Sequence, residues 1–395
     1  MKYHYANRMA LVKPSAIREL LKLGADPEVI SFGGGFPDPE IFPVEQLRHV
    51  YDHVLEKEDK LALQYTTSEG LPALRQKIIN RKNTEGISCS LENLFMIQGA
   101  QQGIDIVAKM FIDKGDIIIT ENPTFVGALI AFNPYEPQYV AIPMDKDGMI
   151  LDVLEVALQT NPRVKLIYTI PDFQNPTGIS MSLERRKRLI ALANQYDVII
   201  LEDSPYREIR FEGKSIPSLK SLDIQGRVIQ LGTFSKILCP GIRLGWVIAE
   251  KELAEKLCLL KMAADTQNST INMYAVNRFM ESYDIDAQIQ LIRDVYKKKK
   301  DLMLDAIQET FPSNITFTNP QGGLFTWLTL PEHVDATALM REKTLPQAKV
   351  AYVPGASFFP VKEEKNHCRI NYSCMSEAKI IDGISLLGRI LKENI

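Results

Sequence analysis

The sequence lacks the features that define several other classes of protein. Its 395 residues carry a formal net charge of −3, so there is no basic excess of the kind that binds nucleic acid. No apolar run approaches the roughly 20 residues needed to span a bilayer. The N-terminus lacks the charged segment and apolar core of a secretory signal. We therefore predict a protein whose partners are neither nucleic acid nor membrane.

Cysteine and histidine are also scarce. The five cysteines lack metal-site spacing, and their odd number is typical of reduced thiols in a cytoplasm. The five histidines are scattered, and His49 and His53, at helical spacing, have no third ligand nearby. The sequence therefore predicts a cytoplasmic protein without a metal site.

The most informative stretch, residues 232–246, places a lysine among small hydroxyl residues just after a strand-like run. Lys236 follows Ser235 directly and Thr233 by three positions, and Arg243 comes seven positions later. A partly desolvated lysine loses its proton readily and can form a Schiff base with an aldehyde. The two hydroxyls and Arg243 could hold a phosphate. An aldehyde and a phosphate on one ligand indicate pyridoxal 5′-phosphate.

Two further strand-like runs supply partners for the ring of that cofactor. The pyridine nitrogen needs a carboxylate, because the protonated ring is the better electron sink. The apolar run 197–203 ends at Asp203, and Tyr206 lies a short turn further on. A second run, Val164–Thr169, leads to Asn175 in an Asn-Pro-Thr-Gly turn. We expect Tyr206 and Asn175 to donate hydrogen bonds to the ring oxygen.

The remaining parts of a cofactor site follow two more strands. Gly99, Ala100 and Gln101 precede a helix-like stretch, where backbone N–H groups and the helix dipole attract an anion. After the run 116–120, Phe125 could stack on a flat ring. The expected place for a ligand in an open α/β sheet is the crevice beyond the carboxyl ends of the strands. Each residue taken alone has a commoner explanation, and the prediction depends on their joint order.

In this order the motifs resemble the fold-type-I, pyridoxal-phosphate-dependent aminotransferases of class I/II, over nearly the whole chain. The resemblance implies that Lys236 binds the cofactor covalently and moves protons, with Asp203 and Tyr206 as further catalytic residues. It implies one set of cofactor contacts: Tyr65, Gly99, Ala100, Gln101, Phe125, Asn175, Asp203, Tyr206, Thr233, Ser235, Lys236 and Arg243. Tyr65 would reach the phosphate of a partner subunit, which implies a homodimer with sites at the subunit interface.

The resemblance also implies the substrates, an L-amino acid and a 2-oxo acid. Arg369 would clamp the α-carboxylate, because a planar guanidinium meets both carboxylate oxygens at once. Asn175 and Gly34 would also contact the substrate. Residues 13–20 and 31–39 resemble the 2-aminoadipate and kynurenine aminotransferase subgroup, in which an arginine reads a side-chain carboxylate. Arg18 would then favour glutamate or 2-aminoadipate, with aromatic amino acids as further candidates.

Two positions depart from the pattern of that family, and two other functions stay open. Ala100 stands where relatives often carry serine, and Phe125 where they often carry tyrosine, which suggests side activities or relaxed specificity. A carbon–sulfur lyase could use the same cofactor site. A ligand-sensing, aminotransferase-like module is an alternative of another class.

Alternating strand and helix patterns predict an α/β fold. We expect a large domain with a mostly parallel sheet covered by helices, as in aspartate aminotransferase, and a smaller α+β domain. The predicted divisions are an N-terminal segment 1–50 that covers the site, a cofactor-binding domain 51–281 and a small domain 282–395. The run Lys297–Lys300 is predicted to be a solvated helix face.

Overall fold

A computed structural model describes residues 3–12, 26 and 28–395 of the chain. The strands, in chain order, are β1 Ile30–Ser31, β2 Leu94–Ile97, β3 Ile117–Asn122, β4 Gln138–Asp145, β5 Gly148–Met149, β6 Val164–Thr169, β7 Ile199–Asp203, β8 Val228–Thr233, β9 Gly245–Ile248, β10 Thr316–Phe317, β11 Phe325–Thr329, β12 Val350–Ala351, β13 Val353–Pro354 and β14 His367–Asn371.

Helices connect and cover these strands. The α-helices are Val44–Lys57, Asp59–Leu63, Pro72–Thr84, Ala100–Phe111, Val126–Phe132, Leu151–Thr160, Leu183–Tyr196, Leu219–Leu222, Lys251–Asp265, Thr270–Ser282, Ile285–Thr310, Ala336–Leu339, Leu345–Ala348 and Glu377–Asn394. Short 3-10 turns span Asn7–Leu11, Pro39–Ile41, Asn133–Tyr135, Pro240–Ile242 and Gly355–Phe358, and a π-helical turn spans Met340–Thr344. Within the described residues, every helix is too short or too polar to cross a bilayer.

The largest sheet has eight strands in the order β2-β9-β8-β7-β6-β3-β4-β5. The five strands from β8 to β4 run parallel, and β9 and β5 pair antiparallel to their neighbours. Every residue of β7 and of β8 is buried, as in a sheet that helices cover on both faces. The predicted large, mostly parallel sheet with its helices is therefore confirmed.

The order of the strands in this sheet positions the functional site. β8, β7, β6 and β3 are neighbours, so their carboxyl ends meet at one edge. These are the strands that precede the sequence motifs around Lys236, Asp203, Asn175 and Phe125. Residues that lie far apart in the sequence are thereby brought to one crevice.

A second, four-stranded antiparallel sheet has the order β10-β11-β14-β13. It belongs to the predicted smaller domain and carries Arg369 on β14, opposite Trp327 of β11 and Val353 of β13. β1 pairs in parallel with β12, and the N–H of Asn371 donates to the carbonyl of Phe32, so the segment after β1 lies beside this sheet. The domain boundaries at residues 50 and 281 stay predictions.

The prediction of a solvated face for Lys297–Lys300 is wrong for two of the four lysines. The side chain of Lys299 is only 7% exposed, and its Nζ lies 2.5 Å from Oδ2 of the buried Asp38. Lys300 is buried too, with its Nζ 3.1 Å from Oε1 of Glu212. The helix presents two of its lysines to the protein interior, where carboxylates from other parts of the chain neutralise them.

We predict that Lys299→Met destabilises the protein by about 3–5 kcal/mol, because the change leaves Asp38 buried without a counter-ion. The matched control is Lys298→Met, since the Lys298 side chain is 65% exposed and pairs only with Glu377 in the contacts described. We expect it to cost less than about 1 kcal/mol. Urea unfolding followed by tryptophan fluorescence measures both; equal losses would contradict the prediction.

Candidate active site

The carboxyl ends of β3, β6, β7 and β8 border a pocket of about 340 Å³. Twelve of the predicted site residues line it. They are Gly99, Ala100, Gln101, Phe125, Asn175, Asp203, Tyr206, Thr233, Ser235, Lys236, Arg243 and Arg369. The structure therefore brings together side chains that the sequence places on separate strands.

Three predicted residues lie elsewhere or outside the described residues. Tyr65 is 79% exposed on the surface. Gly34 precedes the lining residues Gly35 and Phe36, and a Cβ at Gly34 would lie 2.4 Å from the Phe36 ring, so glycine leaves room for that ring. Arg18 lies outside the described residues.

Of the two carboxylate oxygens of Asp203, one accepts a hydrogen bond within the described part of the chain. The hydroxyl of Tyr168 donates to Oδ2 at 2.8 Å, while Oδ1 is buried with no hydrogen-bond partner in the described part of the chain. Burial raises the pKa of Asp203 to about 6, against a lowering contribution from the Tyr168 bond and a further increase from Glu202. A free, buried oxygen of this kind fits a positively charged N–H group on a ligand.

Lys236 follows β8 and reaches back to the N-terminal segment. Its Nζ donates to the carbonyl of Gly35 at 2.7 Å. Burial, together with the charges of Arg369 and Arg243, lowers the pKa of Lys236 to about 8. An amine with this pKa is deprotonated far more often than a surface lysine, as a nucleophile or general base requires.

The phosphate side of the pocket combines hydroxyls, an arginine and a helix start. Thr233 Oγ1 lies 2.9 Å from Ser235 Oγ, and Arg243 Nη2 donates to the carbonyl of Gln98 at 3.0 Å. Gly99 precedes the helix Ala100–Phe111 with φ of +81°, and a Cβ there would lie 2.9 Å from Arg243 Nη2. Backbone N–H groups at a helix start, beside a guanidinium, make an anion site.

Arg369 lies deep in the opposite wall. Its Nη1 donates to Oδ1 of Asn175 and its Nη2 to the carbonyl of Gly33, both at 2.8 Å. The guanidinium lies over the Phe325 ring at 4.1 Å from its centroid. Burial lowers the pKa of Arg369 to about 10, which the nearby Tyr206 partly offsets. Its buried Nε has no hydrogen-bond partner among the described residues.

Asn175 joins this wall to the cofactor side. Its Nδ2 donates to the hydroxyl of Tyr206 at 3.4 Å, while its Oδ1 is the acceptor for Arg369. Both side chains are buried. Asn175 and Tyr206 can therefore present polar groups to one ligand oxygen, as the sequence predicts.

Sequence reasoning missed three residues that act on the predicted ones. Tyr168, the partner of Asp203, stands in an otherwise mostly aliphatic buried strand, and a buried tyrosine hydroxyl usually has a partner; this was an available signal. Gly35 acts through its backbone carbonyl, which the residue type does not reveal. Glu121 is buried at the end of β3, where the sequence gives no sign of its partners.

Together these groups define a class of enzyme that binds a phosphorylated pyridine aldehyde. The Asp203 oxygen that has no partner among the described residues suits the ring nitrogen, Lys236 suits the aldehyde, and the glycine turn with Arg243 suits the phosphate. Residues 28–385 match the family model described as "Aminotransferase class I and II". The chain belongs to this family.

Similar proteins agree with this assignment. The chain is 43% identical to aromatic-amino-acid aminotransferase 1 of Thermococcus litoralis, over 99% of this chain and 95% of that protein. It is 35% identical to 2-aminoadipate transaminase of Thermus thermophilus, over 96% and 94% of the two chains. A crystal structure of Pyrococcus horikoshii kynurenine aminotransferase superimposes with a TM-score of 0.94 at 38% identity, over 99% and 97%.

The activity of the protein is transamination, and its cofactor is pyridoxal 5′-phosphate. The sequence prediction of a class I/II aminotransferase of the 2-aminoadipate and kynurenine subgroup is confirmed. The carbon–sulfur lyase and the sensing module find no support in the family or in these three relatives.

We predict that Asp203→Asn stabilises the cofactor-free protein while weakening cofactor binding. A carboxyl whose pKa is raised from 3.8 to about 6 in the folded state stabilises the fold only in its protonated form. This stabilisation is lost as the pH rises through about 6, and it amounts to about 3 kcal/mol.

Urea unfolding at several pH values tests this prediction. The Asp203→Asn variant should exceed the wild type by about 1–3 kcal/mol near pH 7.5 and match it near pH 4. Its dissociation constant for pyridoxal phosphate should rise, because a neutral amide does not supply the negative charge that stabilises a protonated ring nitrogen. If the variant and the wild type were equally stable at both pH values, burial of the Asp203 carboxylate would not carry the predicted cost.

Proposed function

We propose that the pocket around Lys236 exchanges an amino group between an L-amino acid and a 2-oxo acid, with Lys236 as the group that moves the proton. The observation that carries this proposal is the amine itself. Its pKa is lowered to about 8, and it lies in one pocket with the carboxylate of Asp203 and the guanidinium of Arg369. When bound, pyridoxal phosphate supplies an electron sink for the charge that develops at the substrate α-carbon.

The chain's own residues divide into those that hold the cofactor and those that hold the substrate. Asp203 would keep a proton on the ring nitrogen, and Phe125 would pack against the ring. Asn175 and Tyr206 would bind the ring oxygen. The backbone of Gly99 and Ala100 and the side chains of Gln101, Thr233, Ser235 and Arg243 would hold the phosphate.

Arg369 binds and orients the amino acid by its α-carboxylate. Its Nε, which has no hydrogen-bond partner in the described part of the chain, and the Phe325 ring stacked on the guanidinium favour a planar anion in one orientation. With the carboxylate fixed there, Lys236 removes the α-proton as general base and returns it as general acid. Because the same pocket receives the donor and the acceptor in turn, we expect ping-pong kinetics.

The substrate proposal rests on Arg18 and on the names of the relatives. Those relatives are named for aromatic amino acids, 2-aminoadipate and kynurenine. Arg18, which lies outside the described residues, would read an acidic side chain. The rings of Phe36 and Phe125 in the pocket lining suit an aromatic one. Glutamate, 2-aminoadipate and aromatic amino acids are therefore the donors we propose.

The proposed assembly is a homodimer in a cytoplasm. Tyr65 is 79% exposed in this single chain, which leaves its hydroxyl accessible to the phosphate of a partner subunit. The five cysteines, all among the described residues, carry free thiols, in keeping with a reducing compartment.

We predict that Lys236→Ala lowers the rate of amino transfer by at least about 10³-fold, because the variant loses its general base and acid. The donor-dependent change in the visible absorbance of the bound cofactor measures this step in a single turnover. Lys251→Ala, which removes an exposed lysine paired with Glu92, is the control and should keep the wild-type rate. A rate within tenfold of wild type for Lys236→Ala would refute the proposed role.

A second pair of variants separates the α-carboxylate from the side chain of the donor. Arg369→Lys should raise KM about tenfold or more for glutamate and leucine alike, since it loses the planar fork at the common carboxylate. Arg18→Ala should lower kcat/KM for glutamate about tenfold and leave leucine unchanged. Steady-state kinetics with both donors provide the measurement, and an equal loss for both in Arg18→Ala would remove the acidic-donor proposal.

A further inference from the structure

The mechanism leaves one buried acid at the edge of the pocket unused. Glu121, the fifth residue of β3, is 1% exposed. Its carboxylate accepts hydrogen bonds from Thr169 Oγ1 at 2.5 Å, from the backbone N–H of Ile170 at 3.3 Å and from Gln174 Nε2 at 3.1 Å. These donors lie at the end of β6 and in the loop that follows it. Glu121 thus connects the loop after β6 to β3 by hydrogen bonds.

Gln174 transmits this attachment along the loop. Its Nε2 also donates to the carbonyl of Pro123 at 2.8 Å. Its Oε1 accepts from the backbone N–H and the hydroxyl of Thr177, at 2.9 and 2.7 Å. Asn175 lies between Gln174 and Thr177, so both ends of its turn are tied to one side chain.

The turn delivers Asn175 to two places in the site at once. Its Oδ1 receives the hydrogen bond from Arg369, and its Nδ2 donates to Tyr206. A displaced turn would therefore move the partner of the ring oxygen and loosen the guanidinium that binds the substrate. Small displacements of catalytic groups are expensive in rate and affinity.

We propose that Glu121 is a positioning residue that holds Asn175, through Gln174, in register with the cofactor ring oxygen and with Arg369. The inference rests on the proposed roles of Asn175 and Arg369. Glu121 itself lies outside the pocket lining, and its hydrogen bonds reach the site through the loop.

The chain offers a control acid at the other end of the same strand, Asp116, one position before β3. Asp116 is 7% exposed, and its carboxylate accepts hydrogen bonds from a backbone N–H group and from an arginine side chain. The donors are Asp113 N at 3.0 Å and Arg163 Nη2 at 3.2 Å. Both donors lie outside the pocket lining. The two acids therefore share burial and bonding, but Glu121 is the one bonded to the turn that carries Asn175.

The experiment compares Glu121→Met, Gln174→Met, the double variant with both changes, and Asp116→Leu. In Glu121→Met the side chain keeps about the same length but has no hydrogen-bond acceptor of comparable strength, so the turn loses its tether to β3. In Gln174→Met that tether is absent whether or not Glu121 is present. If Glu121 acts through Gln174, the double variant is therefore no worse than Gln174→Met alone.

Three quantities are measured on each protein. The first is the dissociation constant of pyridoxal phosphate for the cofactor-free protein, by tryptophan fluorescence; the second is KM for the amino donor; the third is the urea unfolding midpoint. We expect Glu121→Met to raise the dissociation constant and KM about tenfold, roughly the worth of one buried hydrogen bond. The double variant should match Gln174→Met within about twofold in both, and Asp116→Leu should change neither by more than about twofold.

Two outcomes would overturn the proposal. One is a Glu121→Met variant that loses stability as Asp116→Leu does but keeps its cofactor affinity and KM, since this would make Glu121 structural only. The other is a folded double variant whose losses are the sum of those of the two single variants, since the effect of Glu121 would then not pass through Gln174. A wild-type protein that bound no pyridoxal phosphate would instead refute the function itself, so the two failures are distinguishable.

Discussion

Burial of three ionisable side chains around one pocket is the constraint on which the chemistry of this protein depends. The same burial raises the pKa of Asp203 and lowers those of Lys236 and Arg369. Each of these groups is therefore less stable in its charged form than it would be in solution, and each becomes more stable when a ligand supplies the complementary charge or bond. The pocket therefore favours ligands that carry both positive and negative charge. The free energy lost by burying these side chains is offset by the rest of the fold, which holds them in place.

The parallel sheet holds these side chains in place. Neighbouring strands β8, β7, β6 and β3 end at one edge, and each is followed by a residue of the site. Hydrogen bonds then run across the strand order: Tyr168 of β6 supports Asp203 of β7, and Glu121 of β3 supports the loop after β6. The small domain completes the wall through Arg369, which is bonded to Asn175 and to Gly33. The side chains of the site thus take their polar contacts from both sheets.

Much of this arrangement could be predicted from the sequence because its signals are local. A lysine beside hydroxyls, or an acid at the end of an apolar run, is visible within a few residues. Contacts between distant segments are not visible in this way. The solvated face predicted for Lys297–Lys300 is wrong at Lys299 because its partner, Asp38, lies 261 residues away. Gly35 was missed since only its backbone takes part. The roles of Tyr65 and Arg18 stay predictions, because one depends on a second subunit and the other lies outside the described residues.

The segment Gly33–Gly35 has a consequence for how binding constants of this protein are to be understood. Its carbonyl groups already accept hydrogen bonds from Lys236 and Arg369. Any molecule that moves the Lys236 amine out of its bond to Gly35, or Arg369 Nη2 out of its bond to Gly33, has to replace that bond. A measured affinity is therefore the difference between the bonds that the ligand makes and the backbone bonds that it replaces. Substitutions that weaken these backbone bonds can for this reason strengthen binding, even where the substituted residue does not contact the ligand.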